Sequence, residues 1–134
     1  MYSRQHANIV IAPEDGISDS GQEIYNFCES EGIRNIIMAG VHTNKCVLGR
    51  PFGIRQQIRL GRNVVLARDL TDSMYDPRDK PYVSHARGTE LVIEHTERYW
   101  SPTILSPVIF WLRRKHTHPI SDGGLLGYVA PSVF

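Results

Sequence analysis

The stretch Gly40–Cys46 (GVHTNKC) leaves the end of an apolar run and sets a lysine and a cysteine where a helix must begin. A thiol attacks as its thiolate, and the unpaired amide N–H groups and positive dipole end of a helix's first turn favour that form. Lys45 adds a neighbouring positive charge, and Thr43 or Asn44 can serve as the helix N-cap. The same amides can bond an oxyanion forming on a carbonyl under attack, so one turn offers both nucleophile and electrostatic stabiliser. The competing reading is that Cys46 is a small core residue, the commoner habit of a lone cysteine, and local physics leaves the two level.

Other side chains with chemical potential lie downstream. Arg50 follows Cys46 by one helical turn, where it can meet an anionic substrate or a loop carboxylate such as Asp69, and the structural Arg–Asp pair is the favoured reading. Asp69 follows NVVLAR at a strand's carboxyl end, where it either shapes a pocket or anchors the loop RDLTD. His42 can line the pocket and Thr43 can hold the turn. His85 opens a helix, where a neutral imidazole accepting an N-terminal amide competes with a substrate contact. His116 and His118 share one face of an extended segment, but two ligands without a third make surface histidines the better reading. Cys28, spaced with Ile24 and Phe27 along one helix, reads as core.

Elements must carry these residues. Ala7–Ala12 (ANIVIA), stopped by Pro13, fits a strand, and the polar loop EDGISDSG leads to a helix over Gly21–Glu31 capped by Gly32. Asn35–Gly40 (NIIMAG) is a continuous apolar run of the kind buried on both faces of a parallel sheet. A helix over Asn44–Leu60 ended by Gly61, a strand over Asn63–Ala67, a polar loop and a helix over Ser84–Tyr99 complete the readable part. Strands alternating with helices at this spacing predict βαβ units, a parallel sheet and an α/β fold. In an open sheet of that kind ligands bind beyond the carboxyl ends of the strands, where Gly40–Cys46 lies. Beyond Trp100 the rhythm fades, and SPTILSPVIFWL reads as one more strand.

A chain of 134 residues suits one domain, and 41% hydrophobic with 22% charged residues is ordinary globular composition. The net charge of +1 makes no electrostatic case for nucleic acid, which calls for a clustered basic excess. The apolar stretch Thr103–Leu112 is too short to cross a bilayer and is interrupted by Pro107, so no membrane partner is expected. Two cysteines do not make a disulfide framework, and the polar start MYSRQH is no secretory signal, which together predict a reducing, cytoplasmic setting.

The stretch GVHTNKCVLGRPFGIRQ, with NVVLARDLTDSMY downstream, resembles the isochorismatase-like cysteine hydrolases, a family that includes nicotinamidases and N-carbamoylsarcosine amidases. The resemblance runs from about Gln5 to Thr103, and its most specific piece is the Gly-Val-X-Thr-X-X-Cys turn. It implies a Rossmann-like three-layer α/β sandwich with a parallel sheet, Cys46 as nucleophile, and a cis peptide between Val41 and His42 that turns amides near Lys45 and Cys46 toward an oxyanion. It also implies hydrolysis of a small amide or related C–N bond through a Cys46 thioester.

Family members complete this chemistry with an aspartate closing the first strand and a lysine, both ahead of the cysteine. Here no acidic residue closes an apolar strand before Cys46, and no lysine precedes Lys45. The expectation is a fold incomplete at the amino terminus, with a partial domain over 1–104 and a divergent tail over 105–134. Loss of the acid–base pair lowers the expected activity by about 10²–10⁴-fold. The family's nicotinamidases hold a metal with Asp and His residues that His6 alone does not reproduce, so no metal and no cofactor are expected. Partners are a small-molecule substrate and, by the family's habit, further copies in a homo-oligomer. Two other readings remain open: a non-catalytic remnant or interaction module docking through an exposed sheet, and a thiol that senses oxidants.

Overall fold

The computed structural model describes residues 8–13 and 15–115. Helix α1 (Gly21–Ser30) starts at Ser20, whose hydroxyl accepts the Glu23 amide, and buries Ile24 and Cys28 one turn apart. Gly32, at φ +65°, reverses the chain in the left-handed conformation that glycine adopts without penalty. Strand β1 (Asn35–Val41) follows, then a π-turn (Thr43–Val47), helix α2 (Ile54–Arg59), strand β2 (Asn63–Asp72), helix α3 (His85–Tyr99), strand β3 (Thr103–Ile104) and helix α4 (Ser106–Lys115).

The three strands form one sheet in the order β1-β2-β3, and both pairs are parallel. Parallel neighbours need crossovers, and α2 and α3 provide them, so the fold is α/β and Rossmann-like. The register runs evenly from Asn35 opposite Asn63 to Met38 opposite Leu66, then jumps so that Gly40 faces Thr71 and Val41 faces Asp72. Strand β2 therefore carries extra residues around Arg68–Leu70. That bulge turns Arg68 to Glu90 and Glu97 of α3, and Asp69 to Ser106 at the start of α4.

The core gathers Ile24, Cys28, Ile33, Ile36, Met38, Val47, Leu48, Ile54, Val64, Leu66 and Ile93, with Phe52, Ile58 and Trp100 packed against it. Arg62 lies buried between elements: its guanidinium pairs with Glu29 at 2.9 Å and donates to Gln57 and to the carbonyls of Ile33 and Tyr25. One residue thereby ties α1, the approach to β1 and the end of α2 together.

Five sequence expectations are corrected. No strand forms at 8–12, where Ile9, Val10 and Ile11 are exposed. The single helix expected over Asn44–Leu60 is broken at Pro51–Gly53, because proline has no amide to donate and its ring blocks the preceding turn. NIIMAG is closed less fully on one face than on the other: Ile36 and Met38 are buried, while on the opposite face Ala39 is buried and Ile37 half-buried. The segment read as a final strand pairs only at Thr103–Ile104 and then turns into α4, for Ser106 with Pro107 behind it is a helix start. Strand β2 also runs on to Asp72, beyond the expected Ala67.

Candidate active site

The turn that bears Cys46 is built by β1. The strand ends at Val41, and the Val41–His42 peptide bond is cis, at the position that the family resemblance singles out. The chain then closes into the π-turn, in which the His42 carbonyl accepts the amides of both Lys45 (3.0 Å) and Val47 (3.2 Å). The Lys45 amide is thus spent inside the turn and is not aimed at an oxyanion. Lys45 itself is exposed and His42 half-buried. Cys46 is a free, half-buried thiol, and its carbonyl accepts the Arg50 amide at 3.2 Å.

Neither Thr43 nor Asn44 caps this turn, as the sequence had suggested; the cap position is His42, without a side-chain bond. Both side chains reach instead to the end of β2. Thr71 donates to the Gly40 carbonyl at 2.7 Å, and the Thr43 and Thr71 hydroxyl oxygens lie 2.7 Å apart. A hydroxyl has one hydrogen to give, so Thr43 is the donor in the second bond. Thr43 is fully buried, and losing that partner leaves an unsatisfied hydroxyl at a cost of about 1–3 kcal/mol. The Asn44 carboxamide forms a two-bond ring with the Met74 backbone, accepting its amide and donating to its carbonyl, each at 3.0 Å.

Just beyond lies a cluster around Asp72, which stands opposite Val41 in the sheet. Its carboxylate accepts from the Thr89 hydroxyl at 2.8 Å and from His85 Nε2 at 2.8 Å. His85 Nδ1 meets the Tyr75 carbonyl at 2.9 Å. Both ring nitrogens face acceptors, so the imidazole donates twice as the cation. The Asp72 hydrogen bond, then the Tyr75 carbonyl, hold its pKa above the ordinary histidine value. Thr89 first, and His85 after it, hold the Asp72 carboxyl below the usual range. The expectation of a neutral imidazole accepting a helix amide is corrected: Ser84 caps α3, and His85 has no free nitrogen to take a proton from a thiol.

Asp69 is an anchor. Its carboxylate accepts the Ser106 amide at 2.8 Å and the Ser106 hydroxyl at 2.6 Å, and the hydroxyl bond chiefly lowers its pKa. The expected Arg50–Asp69 pair does not form, and among the described residues the exposed Arg50 has no ion-pair partner. A groove of about 320 Å³ between α1 and α2, lined by Gly21, Gln22, Tyr25, Pro51, Gln56 and Leu60, includes none of the candidate residues. Among the described residues no group of three His, Cys, Asp or Glu side chains is placed to hold a metal ion. His6, His116 and His118 lie outside the described residues. No described helix is long and apolar enough to cross a membrane.

No family model and no curated protein matches the sequence. Among solved structures, a cysteine hydrolase from Pseudomonas syringae pv. phaseolicola 1448A aligns with a TM-score of 0.58 and 16% identity. The chain shares the fold of that hydrolase. The alignment covers 69% of this chain and 43% of the hydrolase, so the chain spans less than half of its length. Sequence reasoning singled out His85 but not its partners Asp72 and Thr89, nor Thr71 and Met74. The one signal for them was the density of short polar residues in LTDS, at the carboxyl end of a strand.

Proposed function

We propose that the chain is a cysteine-hydrolase domain that acts on a small amide or related C–N bond through a Cys46 thioester. The observation that carries this reading is the placement of a free, half-buried thiol in the turn that follows the carboxyl end of a parallel strand, in a fold like that of a cysteine hydrolase. The carboxyl edge of an open α/β sheet is where such folds bind ligands. In the proposed reaction the Cys46 thiol gives up its proton, the sulfur bonds to the carbonyl carbon, and the oxyanion collapses to break the C–N bond and expel the amine, which takes up the proton that the thiol lost. Water then attacks the thioester and releases the carboxylate and the thiol, for a net hydrolysis of amide to acid and amine.

A cysteine nucleophile favours this amidase-type chemistry over ether hydrolysis, which offers no carbonyl for the thiol to attack. Incubation with a panel of small primary amides and ureido acids, with ammonia as readout, tests the proposal. Turnover by the wild type that Cys46→Ser abolishes supports it, and equal turnover by both proteins overturns it.

A second reading has its own observation. Among the described residues β1 pairs on one side only, and an open sheet edge is a template for another strand. Under that reading the chain docks through β1, on a second copy or another protein. Sedimentation distinguishes the cases, since self-docking makes the mass depend on concentration.

A further inference from the structure

We infer that Thr71 and Asn44 are positioning residues for Cys46, through which the end of β2 and the residues just after it clamp the turn that bears the nucleophile. The inference rests on the proposed hydrolase chemistry and names what holds its reacting atom in place.

The Val41–His42 bond is flanked by Gly40 and Thr43, and one hydroxyl, that of Thr71, bonds both flanks: it donates to the Gly40 carbonyl and accepts from Thr43. At the next residue of the turn, Asn44 is joined to the Met74 backbone by two bonds of opposite sense, a pairing that fixes position and orientation together. Cys46 lies two residues beyond Asn44 and within the same five-residue turn as Thr43. A free helix end would leave such a turn to fray; here Thr71 and Met74 close it.

The clamp is itself held. Asp72, between Thr71 and Met74, is bound by His85 and Thr89 of α3, and the Ser73 amide donates to the Thr89 hydroxyl at 3.2 Å. Tyr75 packs against Gly88, where an added Cβ would lie 2.2 Å from the ring, and its hydroxyl accepts the Val83 amide. The neighbours of Thr71 and Met74 in the chain are thus tied to a helix.

Position matters because attack on a carbonyl depends steeply on the approach of the sulfur, and displacement by about 1 Å can cost about 10²-fold. The test compares Thr71→Val, Thr71→Ser, Asn44→Ala and, as a control of general stability, Ile93→Val in the core. The readout is the rate of iodoacetamide alkylation at Cys46 in the folded protein, resolved by peptide mass spectrometry, with Cys28 as internal standard.

The expected result is a severalfold slower Cys46 in Thr71→Val and Asn44→Ala, recovery in Thr71→Ser, and a wild-type rate in Ile93→Val. Should Thr71→Val not fold, Asn44→Ala carries the same comparison, because its side chain is only half-buried. A Cys46 rate in the Thr71 and Asn44 variants that stays unchanged or rises overturns the inference, as does an equal loss in Ile93→Val. Where an amide substrate is turned over, kcat falls in the clamp variants while KM holds. If the wild type hydrolyses no amide, the hydrolase reading fails, yet the alkylation comparison still decides the clamp.

Discussion

His85 and Asp72 show how hydrogen bonds between two exposed side chains shift their proton affinities in opposite directions. Hydrogen bonding to Asp72 raises the His85 pKa, so the imidazole's contribution is fully present below the free value of about 6.5 and is lost as pH rises through the raised value. Asp72, lowered chiefly by Thr89, contributes above the free carboxyl value of about 3.9 and loses that contribution as pH falls through its lower folded value. The melting-temperature gap between wild type and His85→Gln is therefore expected to be widest at mildly acid pH and to close as the buffer becomes alkaline. A gap that widens toward alkaline pH contradicts this assignment. The pair is solvated, so the effect is small and weakens with salt. The two cysteines give a second prediction: burial pushes the Cys28 thiol pKa up, so the half-buried Cys46 is expected to be alkylated well before it. Both thiols were legible in the sequence, Cys28 from its spacing with Ile24 and Cys46 from GVHTNKC. Thr71 and Met74 were not, because their bonds to Thr43 and Asn44 cross 28 and 30 residues, and no local pattern encodes such a span.

Among the elements, the break after the π-turn carries the most consequence. Gly53 lies against the turn's own backbone: an added Cβ would meet the Val47 carbonyl at 2.8 Å and the Cys46 carbonyl at 3.0 Å. Gly53→Ala must therefore shift the backbone that bears Cys46, and slower Cys46 alkylation together with a lower melting temperature is the expected outcome. Gly49→Ala, with open space around it, serves as the neutral comparison. The alternation of strands and helices was readable because apolar runs and glycine caps are local signals, and Gly32 and Gly61 do hold positive φ. The break at Pro51 has a local signal, as does the helix start at Ser106–Pro107, but in each case the apolar pattern continues across the proline and masks it. The bulge in β2 had no sequence signal; it follows from Asp69 reaching Ser106 and Arg68 reaching α3, contacts that exist only once the chain has folded.

At the scale of the whole molecule, a small sheet is held by one core and one buried cation. Leu66 is fully buried in the central strand, and Leu66→Ala is expected to cost about 2–5 kcal/mol in a denaturant titration. Arg62→Ala removes the donor that joins α1, β1 and α2; because Glu29 is partly exposed, the expected loss is about 2 kcal/mol, below that of a wholly buried pair. These elements exist, on this account, to hold a thiol at the carboxyl edge of the sheet. The most direct measurement is to offer the protein an activated acyl donor such as p-nitrophenyl acetate, quench with acid, and locate the acyl group by peptide mass spectrometry. The account predicts a thioester on Cys46, lost in Cys46→Ser and decaying on standing in water. Acylation of Cys28 in its place, or of neither cysteine in the folded chain, would contradict it.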